Sequence, residues 1–342
     1  MSQASDIPAA QILPLLQQGG LGQDYQLTAL RGGGNNRVYR VDCASGQALL
    51  KAYFQHPDDP RDRLGTEFSF CKFAWDSGLR CLPAPLACDA QNKLGLYEFI
   101  AGRVLLSSDI GPEQMQQATD FFSQLNAHKS GVSAARLPAA SDAAFSLAQH
   151  VARVGRRMNR LQTLDASTPA GLDANALAQS EIIPRWRAVE QRILLGADAL
   201  EGGFDQPLAA EDRCLSPSDF GFHNALAQAG RVRFIDFEYA GWDDPAKTVC
   251  DFFCHPGVPV SRDYFGAFQD AVLASLPHAP MHRQRIAMLM PLFELEWCCI
   301  LLNEFLPLGH RRRAFAKGQQ DPEERRLAQL AKVRRALGRF SG

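Results

Sequence analysis

Residues 215–251, LSPSDFGFHNALAQAGRVRFIDFEYAGWDDPAKTVCD, decide how this chain is read. Asp219 stands five residues before Asn224, and a short apolar strand, VRFID, then delivers Asp236 seventeen residues after Asp219. A tight loop can aim one carboxylate at a hydroxyl proton and one amide oxygen at a cation. A strand returning alongside the loop brings a second carboxylate to the same cation. One proton acceptor, with an amide and a carboxylate for a divalent metal, is the set that phosphoryl transfer from a nucleotide requires.

Working outward, YQLTAL (25–30), RVYRV (37–41) and QALLKAYF (47–54) read as three antiparallel strands, with Arg31-Gly32-Gly33-Gly34-Asn35-Asn36 turning the first into the second. Without side chains the glycine turn can approach phosphates closely, and the amides of Asn35 and Asn36 can donate to them. Lys51 lies on the third strand, and a helix predicted from Pro60 to about Ser77 contains Glu67. LPAPLAC (82–88) and LGLYEFI (94–100) complete a five-stranded sheet, and Ala101-Gly102 marks a hinge. The spacing predicts helices over 8–18, 112–127, 142–164, 175–200, 245–254, 262–275, 281–305 and 322–340. Pro291 is expected to kink or split the 281–305 helix, Asp321 to cap the last, and 131–141 and 165–174 to be mobile connectors. The fold class is therefore α+β: an N-terminal lobe, residues 1–101, and a mainly helical lobe, residues 102–342.

Composition narrows the function classes. With 342 residues and a net charge of −1, no global field favours nucleic acid or an anionic membrane. The nine cysteines are odd in number and lack framework spacing, as expected for free thiols in a reducing compartment, so a cytoplasmic location is expected. No apolar window reaches the roughly 18 residues of a spanning helix, so no membrane insertion is expected.

The run SDFGFHNAL…FIDFEYAGWDDPAKTVCD resembles the motif pair of the aminoglycoside phosphotransferase and choline kinase-like enzymes, HGDxxxxN followed by IDxE…GDPxxDL. GGGNNRVYRV with Lys51 and Glu67, and YEFIAG (97–102), resemble the same family's nucleotide lobe and hinge. The resemblance implies a protein kinase-like two-lobed fold that phosphorylates a small-molecule hydroxyl from ATP or GTP with Mg²⁺. By position, it implies Asp219 as catalytic base and Asn224 and Asp236 as metal ligands. It further implies Gly33, Gly34, Asn35, Asn36 and Lys51 at the phosphates, Glu67 orienting Lys51, the backbone around Glu98 and Ile100 at the adenine, and Asp251 bracing the loop. The literal Asp219-Phe220-Gly221 spells a kinase metal motif, but such an Asp follows a strand that itself follows the catalytic loop, and only Asp236 does so. Pro217-Ser218 stands where the family has His-Gly, and the glycine turn replaces any G-x-G-x-x-G.

For the acceptor, Glu294, Glu296, Trp297 and Glu304, with Glu238, Tyr239 and Trp242 beside the metal strand, would suit a cationic amino alcohol or aminosugar. A neutral sugar fits equally, and the basic last helix leaves room for an anionic substrate or lipid surface. Two other classes stay open: a catalytically silent nucleotide-binding regulator, and a metal-dependent phosphohydrolase using Asp219, His223, Asp236 and Asp243. Cys250, Cys254 and His255 have zinc-ligand chemistry, but on one helix beside Phe252 and Phe253 they read as a buried apolar face.

Overall fold

The computed structural model describes residues 7–30, 36–55, 59, 61–200, 202–306 and 322–341. Strands β1 (Tyr25–Leu30), β2 (Arg37–Cys43), β3 (Gly46–Ala52), β4 (Pro85–Asp89) and β5 (Leu94–Glu98) form one antiparallel sheet in the order β1-β2-β3-β5-β4. Because side chains alternate along a strand, β3 serves two layers. Ala48 and Leu50 pack with Ile12, Leu15 and Leu16 of helix α1 (Ala9–Gln18). Lys51 faces the other way, toward helix α2 (Arg63–Asp76). Leu64, Glu67, Cys71 and Ala74 share the buried stripe of α2 at helical spacing, and the Asp62 carboxylate caps the helix by accepting from Gly65 N at 3.3 Å. A one-residue slip of β3 would turn Lys51 into the α1 layer.

The chain leaves the sheet at Ala101-Gly102. A Cβ at Gly102 would sit 2.9 Å from both Ala227 O and Leu226 Cβ, so only glycine lets the hinge pass so close to the strand beneath it. Strand β6 (Arg103–Val104) joins the hairpin β8 (Ala225–Gln228) and β9 (Arg231–Phe234), while β7 (Cys214–Ser216) pairs with β10 (Gly241–Asp243). The other elements are helices: α3 (Pro112–Ala127), α4 (Val132–Ala135), α5 (Leu147–Arg160), α6 (Pro169–Leu177), α7 (Ile183–Gly196), α8 (Pro245–Cys254), α9 (Phe265–Leu273), α10 (Ala279–Leu302) and α11 (Pro322–Leu337).

Several expectations are corrected. The segments 131–141 and 165–174 hold α4 and the start of α6, with Thr168 capping Gly171. The helix expected over 175–200 begins at Pro169 and passes through a π-turn, Ala178–Ile182, into α7. Pro184, which has no N–H to give and crowds the carbonyl four residues back, accounts for that widened turn. Pro291 does not split α10. Residues 279–305 are long and apolar enough to cross a membrane by composition, contrary to expectation, yet most of the stretch is buried against α5, α7, α8 and α11, as befits a core helix. The Asp321 cap and Gly33, Gly34 and Asn35 lie outside the described residues.

Candidate active site

Lys51 carries no exposed charge. Its ammonium lies 2.7 Å from Glu67 Oε2 and 2.7 Å from Asp236 Oδ1. Burial alone would lower its pKa, but the charges of Asp236, Glu67 and Glu238 raise it overall, so the ammonium keeps its proton. Glu67 is fixed by Tyr53, whose hydroxyl donates to Oε2 at 2.6 Å, and by Phe237 N at 3.3 Å. Burial raises the Glu67 pKa, against the opposing pull of Lys51. Asn36, at the far end of the glycine turn, donates to Glu238 Oε2 at 2.6 Å.

Strand β7 leads into the loop that carries Asp219, where Ser218 adopts a positive φ of 66°. Phe220, the next residue, packs into an aromatic cluster with Phe121, Phe234, Phe252 and Phe268. The middle of the literal Asp-Phe-Gly is thus a core anchor, which leaves Asp219 at the surface of the loop with a third of its side chain exposed. Asn224 Nδ2 donates to Asp219 O at 3.0 Å and to Oδ2 at 3.1 Å. This turns the Asn224 amide oxygen away from Asp219, and it has no hydrogen-bond partner among the described residues. Ile235 N donates to Asn224 O at 2.9 Å, which brings Asp236 beside Asn224. Asp236 has φ 67°, and 41% of its side chain is exposed. An amide oxygen and a carboxylate together are hard donors of the kind Mg²⁺ takes, so these two residues fit that ion.

Asp219 Oδ1 faces two stacked imidazoles. His223 Nε2 is 3.1 Å away and His255 Nε2 3.8 Å, with the two ring centroids 3.3 Å apart and the planes within 10°. His255 Nδ1 accepts from Gly257 N at 3.0 Å, which assigns the proton to Nε2. Burial and the neighbouring His223 push His255 down to about 3, so its ring is neutral near pH 7. Burial raises the cost of the Asp219 charge, but His223, His255 and the Asn224 amide outweigh it and bring the carboxyl to about 2. The three side chains lie close enough together to suggest a metal centre. Their hydrogen bonds argue otherwise: His223 Nε2 is spent as a donor to Asp219, His255 Nδ1 is taken by Gly257 N, and near-parallel rings cannot both direct in-plane lone pairs at one ion.

Where the resembling family has His-Gly, this chain braces the loop from α8. Lys247 Nζ donates to Ser218 Oγ at 3.0 Å and pairs with Asp243 and Asp251, each at 3.1 Å. Thr248 Oγ1 donates to Ser216 Oγ at 3.0 Å, and the Asn126 side chain closes two bonds onto the Leu215 backbone. Asp251 thus acts on the loop through Lys247. Burial pushes Asp243 up to about 6 even beside Lys247. It belongs to this buttress and does not join Asp236 in a metal cluster.

The remaining predicted residues are placed as follows. Glu98 accepts from Arg233 and from Ala84 N, and Ile100 is buried with its carbonyl bonded to Gly102 N. Glu238 is buried with Asn36 and Arg63, and Tyr239 lies beneath Arg61 and Arg63. Trp242 gives its indole N–H to Ala134 O. All three are thus engaged in contacts with other parts of the chain, while Tyr239 and Trp242 stay half-buried. Glu294 accepts from Arg262 and Ser341, whereas Trp297 meets His255 edge-on at 4.4 Å and donates to Asp251. The sequence reading put His255 on a buried apolar face, whereas it stands half-buried beside Asp219, and it missed Lys247. The Asp-Asp-Pro-Ala-Lys run places Lys247 one helical turn from both Asp243 and Asp251, and that spacing was the available signal.

The architecture has solved counterparts. A choline kinase from Cryptosporidium parvum Iowa II is similar at TM-score 0.57 and 12% identity, covering 97% of this chain and 97% of that one. A choline kinase from Streptococcus pneumoniae, LicA, reaches 0.57 at 14% identity over 96% of each. Spectinomycin phosphotransferase APH(9)-Ia, solved with ADP and spectinomycin, reaches 0.56 at 13% identity, covering 95% of this chain and 99% of that one. No curated protein matches the sequence significantly. Residues 26–289, from the first strand of the sheet to the middle of α10, match the phosphotransferase enzyme family, and the chain belongs to that family.

Proposed function

We propose that this chain transfers the γ-phosphoryl group of ATP to a hydroxyl of a small molecule, with Asp219 as proton acceptor and Mg²⁺ held by Asn224 and Asp236. The observation that carries the reading is the meeting of Lys51 with both Glu67 and Asp236 at 2.7 Å, beside a loop in which Asn224 holds Asp219. Adenine rather than guanine is favoured by the ADP in the spectinomycin phosphotransferase complex. When bound, Mg²⁺ would neutralise charge on the nucleotide phosphates. Lys51 supplies a fixed positive charge to the same phosphates, and Glu67 and Tyr53 hold it there. Asp219 orients the acceptor hydroxyl and takes its proton. A carboxyl near 2 is a weak base, which suits a loose transition state in which that proton leaves late. Residues 1–101 serve as the nucleotide lobe and 102–342 as the catalytic and acceptor lobe, and the nine free cysteines favour a reducing compartment such as the cytoplasm.

The test is a coupled nucleotide-consumption screen against amino alcohols, aminosugars, neutral sugars, sugar acids and aminoglycosides, with Asp236→Ala as control. At least one acceptor should be phosphorylated by the wild type and none by folded Asp236→Ala. Undiminished turnover in that variant would remove Asp236 from the metal site.

A further inference from the structure

A cavity of about 740 Å³ opens beside the candidate base. Its walls come from the α8–α9 loop, α10 and α11, and His255, 3.8 Å from Asp219, joins it to the reaction centre. Four cationic side chains line it, Arg262, Lys332, Arg335 and Arg339, against one carboxylate, Glu294. Glu294 is already neutralised by Arg262 at 2.9 Å and accepts from Ser341 N and Oγ. Lys332 and Arg335 lie on one face of α11 and Arg339 follows two residues past its end, and the structure shows no ion pair for any of them among the described residues. The Lys332 charge reaches His255, whose neutral ring it helps to maintain. The carboxylates that sequence reasoning reserved for a cationic amine are likewise committed. Glu296 is clamped by Arg153 and Arg157, and Glu304 lies 3.5 Å from Arg325. An ammonium compound would enter this cavity against three uncompensated positive charges, whereas an anion would be drawn in by them.

We propose that the acceptor is an anionic small molecule, a hydroxyl compound bearing a carboxylate or phosphate group, held by Lys332, Arg335 and Arg339 with its hydroxyl at Asp219. This rests on the kinase reading above. The acceptor oxygen bonds to the γ-phosphorus as the bond from that phosphorus to the β–γ bridging oxygen breaks. The hydroxyl proton passes to Asp219, and ADP leaves.

The test uses the full chain and matched acceptors: glucose, glucosamine, glucuronate, glucose 6-phosphate, glycerate and choline. Binding is followed by calorimetry, transfer by mass spectrometry, and AMP-PNP affinity is measured separately. At least one anionic member should bind about tenfold or more tighter than its neutral or cationic counterparts. In Lys332→Glu/Arg335→Glu that preference should fall at least about tenfold, with AMP-PNP affinity nearly unchanged. Lys332→Gln/Arg335→Gln serves if the charge reversal does not fold. Preference for choline or glucosamine overturns the proposal, as does failure of every anion to bind, or anion affinities equal in wild type and variant. Phosphatidylserine vesicles test the other source of the same chemistry. Sedimentation of the wild type with them, lost in the variant and unmatched by any small anion, overturns the small-molecule assignment. Failure of the wild type to bind AMP-PNP counts against the kinase reading, and the anion arm still decides the cavity.

Discussion

Asp219 receives an N–H from His223 on one oxygen and from Asn224 on the other, so its carboxylate is fixed in direction as well as in charge. Asp219→Asn keeps the shape and most of these contacts but removes the proton acceptor. Turnover should fall by roughly 10²–10⁴, while circular dichroism and AMP-PNP affinity stay close to wild type. Wild-type turnover from folded Asp219→Asn protein would end the base assignment. With a pKa of about 2, Asp219 should contribute no acid limb to the rate profile above that pH. The residues of this centre were legible where their order along the chain carried information. Glycine turn, strand lysine, helix glutamate, Asp with Asn five on and strand-borne Asp formed a sequence that single residues could not. His255 was not legible, because its place rests on a ring stack made only when the end of α8 returns to the loop.

Among the elements, α8 is the buttress of the Asp219 loop, and Lys247 is its working part. Lys247→Met leaves Asp243 and Asp251 buried without their cation, a loss of about 3–5 kcal/mol for a broken buried pair. A urea titration at pH 8 should show it. Asp243 prefers its neutral form below about 6 even in the wild type, so the loss should shrink as pH falls through that value. Turnover should drop along with it, because Ser218 loses its hold next to Asp219. The strands and most helices were readable from their periods of two and 3.6 residues, and α3 and α8 keep the predicted limits. The α6–α7 helix was misread because Pro169 opens it earlier than its apolar pattern and Pro184 is absorbed by a π-turn. The pairing of the carboxylates on the later helices was not legible for a different reason. Glu294, Glu296 and Glu304 looked available along the chain, and their arginine partners come from α5, the α8–α9 loop and α11.

Across the whole molecule, the helical lobe is pinned by a buried polar knot in which Asp244 caps α8, accepts from His150 and pairs with Arg285. Burial lowers His150 to about 4 despite Asp244. The unfolded chain, with an ordinary imidazole near 6.5, therefore binds one more proton between those values. On this account stability falls as pH drops from about 6.5 to about 4, by about 1.4 kcal/mol per unit for one group. His150→Gln should remove that slope, seen as a variant-minus-wild-type stability difference that grows in the variant's favour on acidification. A difference independent of pH would assign the acid sensitivity elsewhere.

Helix α11 seats on the body through Leu330, Val333 and Leu337, Arg185 ties its last turn, and Ser341 binds Glu294 just beyond it. Its other face walls the cavity beside His255. On the proposed assignments, chemistry and selectivity are written into separate stretches of the polypeptide. The groups assigned to phosphoryl transfer all precede Asp251, whereas the cations assigned to the acceptor arrive some eighty residues later. Exchanging this one terminal segment between relatives could redirect the enzyme to a new metabolite and leave the transfer step untouched.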